Sequence, residues 1–161
     1  MMERMTIHFI CRGNAHRSLM AEAYLKSLDL KGISVMSSGS AADKYREENE
    51  PRIPQIRAIL GSHGISQFAK SHPEQLTQER LNEADLTICM NQIVADECNK
   101  AFTIPPNTQV WDIDDTGEGK NILQPGDSPF KYTGEIYELI KRRVDELVQD
   151  LQLPASLPSH P

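Results

Sequence analysis

Cys11 opens the run CRGNAHRS (residues 11–18), which places a thiol, two arginines, a histidine and a serine together in a chain of net charge −6. A thiol is a strong nucleophile only as its thiolate, and positive charge or backbone N–H groups beside it favour that form. Arg17 carries a planar fork of donors that matches paired phosphate oxygens. Gly13 and Asn14 are residue types that tolerate the left-handed backbone needed to curl N–H groups inward around an anion. Ser18 is placed to donate a hydrogen bond to the thiolate. The chemistry this suits is attack by sulfur on the phosphorus of a cradled phosphate. A Cys-x5-Arg pair alone is a weak signal, since a buried strand-end cysteine followed by a solvated arginine looks the same. The elements around it must decide.

Those elements alternate. The residue pattern predicts strands over 5–10, 33–39, 84–90 and 108–113, and helices over 18–28, 54–64, 91–102 and 133–151, with Asn91 as an N-cap. Strands alternating with helices imply an α/β fold, a parallel sheet with helices on both faces. In such sheets ligands sit beyond the carboxyl ends of the strands. Cys11 stands at the carboxyl end of the first strand, and the next helix aims its N-terminus there. That terminus offers unpaired N–H groups and a partial positive charge, a ready anion site.

At 161 residues the chain fits one domain, read here as 1–151, with a loose Pro-rich tail over 152–161. The acidic balance argues against non-specific nucleic-acid binding. No apolar run is long enough for a bilayer span, and the N-terminus shows no signal-peptide pattern. Three cysteines without framework spacing favour the reducing cytoplasm. Cys89 reads as a small core residue, and His8 and His63 carry no signal beyond packing or surface.

The motif Cys-Arg-Gly-Asn-Ala-His-Arg-Ser resembles the signature of the low-molecular-weight protein tyrosine phosphatases, Cys-x-Gly-Asn-x-Cys-Arg-Ser. The likeness continues in SSGS (37–40), RAILGSHGI (57–65) and EADLTICMN (83–91), and reaches about residue 150. It implies a four-stranded parallel sheet, with a phosphate-binding loop after the first strand and no metal or organic cofactor. Cys11 would form a phosphocysteine, while Arg17 and the backbone from Arg12 through Gly13, Asn14, Ala15 and His16 to Ser18 hold the phosphate oxygens. Asn14 would lock the loop against Ser38. The family's general acid lies in an Asp-Pro pair after the last strand. Setting IDDT (113–116) on that pattern makes Asp115 the acid, with Asp114 and Asp112 as alternatives. Tyr45 matches one aromatic wall of the substrate slot, and the tyrosines that often follow the Asp-Pro pair are absent. His16 replaces the second loop cysteine and is expected to be a partly exposed loop imidazole with no catalytic role. The implied partners are phosphorylated proteins or small aryl phosphates. Relatives of the same fold supply two alternatives, a protein arginine phosphatase and a thioredoxin-coupled arsenate reductase using Cys89 and Cys98; a non-catalytic phosphate-binding module is a third reading.

Overall fold

The computed structural model describes residues 4–156. Four strands, β1 (Met5–Cys11), β2 (Ile33–Gly39), β3 (Leu86–Cys89) and β4 (Thr108–Val110), form one parallel sheet in the order β2-β1-β3-β4. β1 is therefore interior, and strand alternation sorts its side chains between two faces. Ile7, Phe9 and Cys11 enter the larger core cluster with Leu19, Met20, Ile140 and Val144. Ile10 enters the smaller one with Leu81, Val94 and Cys98. The larger face is covered by α1 (Arg17–Ser27), α3 (Ile53–Ser62) and α6 (Thr133–Ser156), the smaller by α4 (Gln78–Glu83) and α5 (Gln92–Ala101). Helices on both faces are what the alternating pattern predicts.

The helices form for legible reasons. Ile136, Tyr137, Ile140, Val144 and Leu147 make one apolar stripe along α6, at the 3.6-residue period. Asn91 caps α5, accepting from the Val94 N–H at 3.1 Å. α1 is made of strong helix formers and is buried from Arg17 through Leu25, so its pattern is not amphipathic. Tyr24 on α1 meets Tyr137 on α6 edge-on, with ring centroids 6.3 Å apart, and donates to Asp145 at 2.6 Å.

Several boundaries differ from the expected ones. α6 continues to Ser156, and residues 157–161 of the Pro-rich tail lie outside the described residues. β4 stops at Val110, yet the Trp111 N–H still donates to Cys89 O at 2.8 Å and the Ile113 N–H to Met90 O at 2.9 Å. The chain past β4 thus keeps alongside the end of β3 and delivers residues 112–115 to the carboxyl end of the sheet. The short helix α2 (Arg46–Asn49), the 3-10 turns Glu50–Arg52 and Ser66–Phe68, and α4 are too short to show a period in sequence. Among the described residues no helix is long and apolar enough to cross a membrane.

His8 is fully buried on the face opposite Cys11, with Nε2 2.8 Å from the Ser38 hydroxyl. Burial, reinforced by the charges of Arg80 and Lys70, pushes its imidazolium from 6.5 down to about 3. The unfolded chain protonates this group near its ordinary value, so between those limits the unfolded state binds more protons. Stability is then lost as pH falls through that window. This single group should lower the unfolding free energy by about 2–4 kcal/mol between about pH 7 and pH 4. Urea unfolding at both pH values should show that drop in the wild type and a flatter dependence in His8→Asn. Equal slopes would remove His8 as the cause.

Candidate active site

The loop after β1 turns sharply enough to need special backbone. Asn14 adopts a φ of 56°, the left-handed region that the residue type was expected to supply. Beneath the loop lies Gly39, where a Cβ would sit 2.6 Å from Arg12 O and 2.9 Å from Asn14 N. Only glycine lets the end of β2 pass so close.

Two donors converge on the Cys11 sulfur. The Asn14 N–H donates to Sγ at 3.2 Å, and Ser18 Oγ lies 2.9 Å from it. The direction of the second bond follows from the Asn14 amide. Its Oδ1 must face Lys70 Nζ at 3.1 Å and the Glu74 N–H at 2.8 Å, because both are donors. Nδ2 therefore spends its two hydrogens on Ser18 Oγ at 2.7 Å and Ser37 Oγ at 2.9 Å. Ser18 accepts there, which leaves its own hydrogen for Cys11. Ser37 in turn donates to the buried Glu22 at 2.6 Å. The network presents the sulfur with hydrogens, an arrangement that suits a thiolate.

The expected partner of Asn14 is off by one residue. Alternation along β2 turns Ser37 toward Asn14 and Glu22, while Ser38 faces the other side. There Ser38 meets His8 Nε2 and accepts from Arg80 Nε, both at 2.8 Å. Ser38 thus braces β1 and α4 rather than Asn14.

Arg17 begins α1 with a side chain 1% exposed, the largest fully buried one described. Its Nη1 donates to Ile113 O at 2.8 Å and lies 3.6 Å from Glu118 Oε1. Its Nε is buried without a partner among the described residues. A buried guanidinium with its Nε–H unspent is costly unless an anion completes it.

The acidic turn separates its three aspartates. Asp115 lines the cleft that also holds Cys11, Ala15 and His16, whereas Asp112 and Asp114 line a different groove beside α6. Asp114 accepts from Asn91 Nδ2 at 3.1 Å. The expectation for His16 is overturned: it is 2% exposed, and its Nδ1 lies 2.9 Å from Asp115 Oδ1. The loop folds the ring inward because a carboxylate from the far end of the chain meets it there. Burial alone would raise the Asp115 carboxyl. The hydrogen bond and charge of His16, with Arg17 and Arg52 behind, outweigh it and hold the group well below the usual carboxylate range.

Around the mouth of the cleft stand Arg12, Tyr45, Glu48, Asn49 and Arg52. The Tyr45 hydroxyl accepts from Arg12 Nη2 at 3.1 Å, and Arg12 also meets Glu97 at 3.1 Å. Tyr45 is the one Phe, Tyr or Trp among the described lining residues, so the cleft has a single aromatic wall of that kind. The other sequence-singled residues fall elsewhere. Tyr132 donates to Ile122 O at 2.8 Å, and His63 stacks on Tyr137 with centroids 4.2 Å apart. Cys89 and Cys98 are both fully buried in the smaller core cluster.

Sequence reasoning missed Lys70, Glu74 and Glu118. The first two reach Asn14 from a segment with no period to read. Glu118 Oε1 accepts from the Asp115 N–H at 2.9 Å and from Asn91 Nδ2 at 3.1 Å, beside Arg17. Its only sequence signal is its place three residues past Asp115.

Comparison with known proteins places the chain in a family. Residues 6–156 match the family described as low molecular weight phosphotyrosine protein phosphatase. The protein-arginine-phosphatase of Bacillus subtilis is 30% identical over 91% of this chain and 94% of its own. A Ralstonia solanacearum protein named "Probable low molecular weight protein-tyrosine-phosphatase EpsP" is 36% identical over 85 residues, about half of each chain (53% and 54%). A solved thioredoxin-dependent arsenate reductase of Corynebacterium glutamicum superposes with a TM-score of 0.64 at 26% identity, over 94% of this chain and 64% of that one. The loop that wraps Cys11, the sheet that carries it and a match running almost end to end make this chain a member of the low molecular weight phosphotyrosine protein phosphatase family.

Proposed function

We propose that the chain hydrolyses phosphomonoesters of proteins, phosphotyrosine first among them, through a phosphocysteine on Cys11. The observation that carries this reading is the hydrogen accounting at the sulfur. Asn14 N–H and the Ser18 hydroxyl both point hydrogens at Sγ, and in the same loop the buried Arg17 Nε is unspent. In the first step Sγ bonds to phosphorus and the ester P–O bond breaks. The loop N–H groups and the Arg17 guanidinium hold the equatorial oxygens, where charge spreads in the transition state. Asp115 supplies a proton to the leaving oxygen. In the second step water attacks phosphorus, Asp115 takes its proton, and sulfur leaves as thiolate. A reducing cytoplasm suits three free cysteines, one of them the nucleophile.

A phosphoarginine reading has support of its own. Asp115 and Glu48 both line the mouth, where a guanidinium would find carboxylates. The arsenate reductase reading is weaker. It asks Cys89 and Cys98 to reach Cys11, yet both are buried in the opposite core cluster. Initial rates on phosphotyrosine, phosphoarginine and phosphoserine peptides, with a metal chelator present, separate the readings, alongside arsenate turnover with thioredoxin. Saturable release of phosphate from phosphotyrosine peptide is expected. Turnover of arsenate alone would overturn the proposal.

The acid assignment has its own test. Asp115→Asn should slow phosphotyrosine cleavage on the order of 10²-fold, and 4-nitrophenyl phosphate far less, since nitrophenolate leaves without help. Asp114→Asn should leave the difference between the two substrates unchanged. If the leaving-group-dependent loss follows Asp114 instead, the acid is misplaced by one residue.

A further inference from the structure

An acid has to hold a proton when the leaving oxygen needs it, and Asp115 is surrounded by reasons to stay ionised. His16, Arg17 and Arg52 face it, and Glu118 accepts from its backbone N–H rather than sharing a proton with its carboxyl. At neutral pH a lone carboxyl of ordinary acidity is protonated in only about one molecule in 10³. The proton of the first step must come from somewhere else in the site.

We propose that His16 is a positioning residue that stores this proton, passing it to the leaving oxygen through Asp115 and recovering it from water in the second step. Three observations carry the proposal, which rests on the Cys11 and Asp115 roles given above. His16 Nδ1 and Asp115 Oδ1 are 2.9 Å apart, so a proton crosses between them without movement of either chain. His16 is buried and lines the cleft with Cys11, so the pair is held at the reacting centre. Its Nε2 is buried with no partner among the described residues, so no other protein group competes for the ring.

The accounting closes over one turnover. The proposed cycle starts with one proton on the pair, between Nδ1 and Oδ1. When the S–P bond forms and the P–O bond breaks, that proton passes from Nδ1 through the carboxyl group to the departing oxygen. Neutral His16 and ionised Asp115 remain. Water then attacks phosphorus, its proton goes to Asp115 and back to Nδ1, and Cys11 leaves as thiolate. One proton goes out and one returns, with no further reactant.

His16→Asn tests this, because its amide can still donate to Asp115 Oδ1 yet cannot carry the proton. The comparison uses kcat/KM for phenyl phosphate and 4-nitrophenyl phosphate against pH, with Asp115→Asn in parallel. Phenyl phosphate should lose on the order of 10²-fold and nitrophenyl phosphate only a few-fold, and the alkaline limb of kcat/KM should move toward acid. A purely structural role predicts equal losses on both esters and an unmoved limb, and that result overturns the proposal. If Asp115→Asn is itself insensitive to the leaving group, the acid assignment fails, and the storage role falls with it. If Asp115→Asn is sensitive and His16→Asn is not, only the storage role fails. Nitrogen NMR of the unsubstituted enzyme gives a second readout that needs no variant. The His16 ring should lose its proton over the same pH range as the alkaline limb, and a ring already neutral below that limb overturns the proposal.

Discussion

Cys11→Ser should reduce turnover of any phosphomonoester on the order of 10⁴-fold or more, while inorganic phosphate still binds. The two halves of this expectation have separate physical origins. Hydrogens from the Asn14 N–H and Ser18 stabilise sulfur as an anion, but they cannot ionise a serine hydroxyl to a useful extent at neutral pH. The nucleophile is therefore lost, and no other thiol can stand in, because Cys89 and Cys98 are buried in the opposite core cluster. The cradle survives, since the Asn14 side chain is held by Lys70, Glu74, Ser18 and Ser37 and not by Cys11. Steady-state rates with phosphate binding by calorimetry give both numbers. Rapid acid quench of the wild type should trap a phosphoryl group on Cys11, and the variant should show none there. Near-full turnover in Cys11→Ser would end the phosphocysteine mechanism, whereas loss of phosphate binding as well would mean the sulfur helps to build the cradle.

How much of this site is legible in sequence follows from which contacts are local. Cys11, Asn14, Arg17 and Ser18 lie on one turn and the start of one helix, so their residue types and spacing carry the information. The strand periodicity carries Cys11 to the carboxyl end of the sheet. His16 is different, because its burial depends on Asp115, ninety-nine positions away, and nothing in CRGNAHRS distinguishes a ring pointing in from one pointing out. The Ser37–Ser38 error is a matter of parity. Both hydroxyls are on β2, and choosing between them needs the register of β2 on β1, where Phe9 pairs with Ser37 and Ile10 with Ser38. Lys70 and Glu74 lie in irregular chain between Phe68 and Gln78, where no period exists to read.

Arg17→Lys should cost on the order of 10³-fold in kcat, with a smaller change in KM, despite conserving charge. The reason is how the guanidinium is divided. Nη1 is committed to Ile113 O at 2.8 Å, with Glu118 at 3.6 Å, and this anchors the side chain to the turn that carries Asp115. Nε is left for the phosphate. A lysine ammonium is one nitrogen on a flexible stem and cannot hold the Ile113 carbonyl and an equatorial oxygen in that fixed geometry. If it goes to the anion, the Ile113 carbonyl loses its charged donor and the acid turn loses its anchor. If it stays on Ile113, the transition state loses its clamp. Either way the donor is missing where charge develops, so the loss falls on the chemical step more than on ground-state binding. The leaving-group dependence separates the two outcomes. A clamp lost by itself slows 4-nitrophenyl phosphate and phenyl phosphate alike, whereas a displaced Asp115 turn adds a further loss on phenyl phosphate. Arg17→Lys retaining wild-type kcat on both esters would show that charge alone suffices, and the fork would then have no part in catalysis.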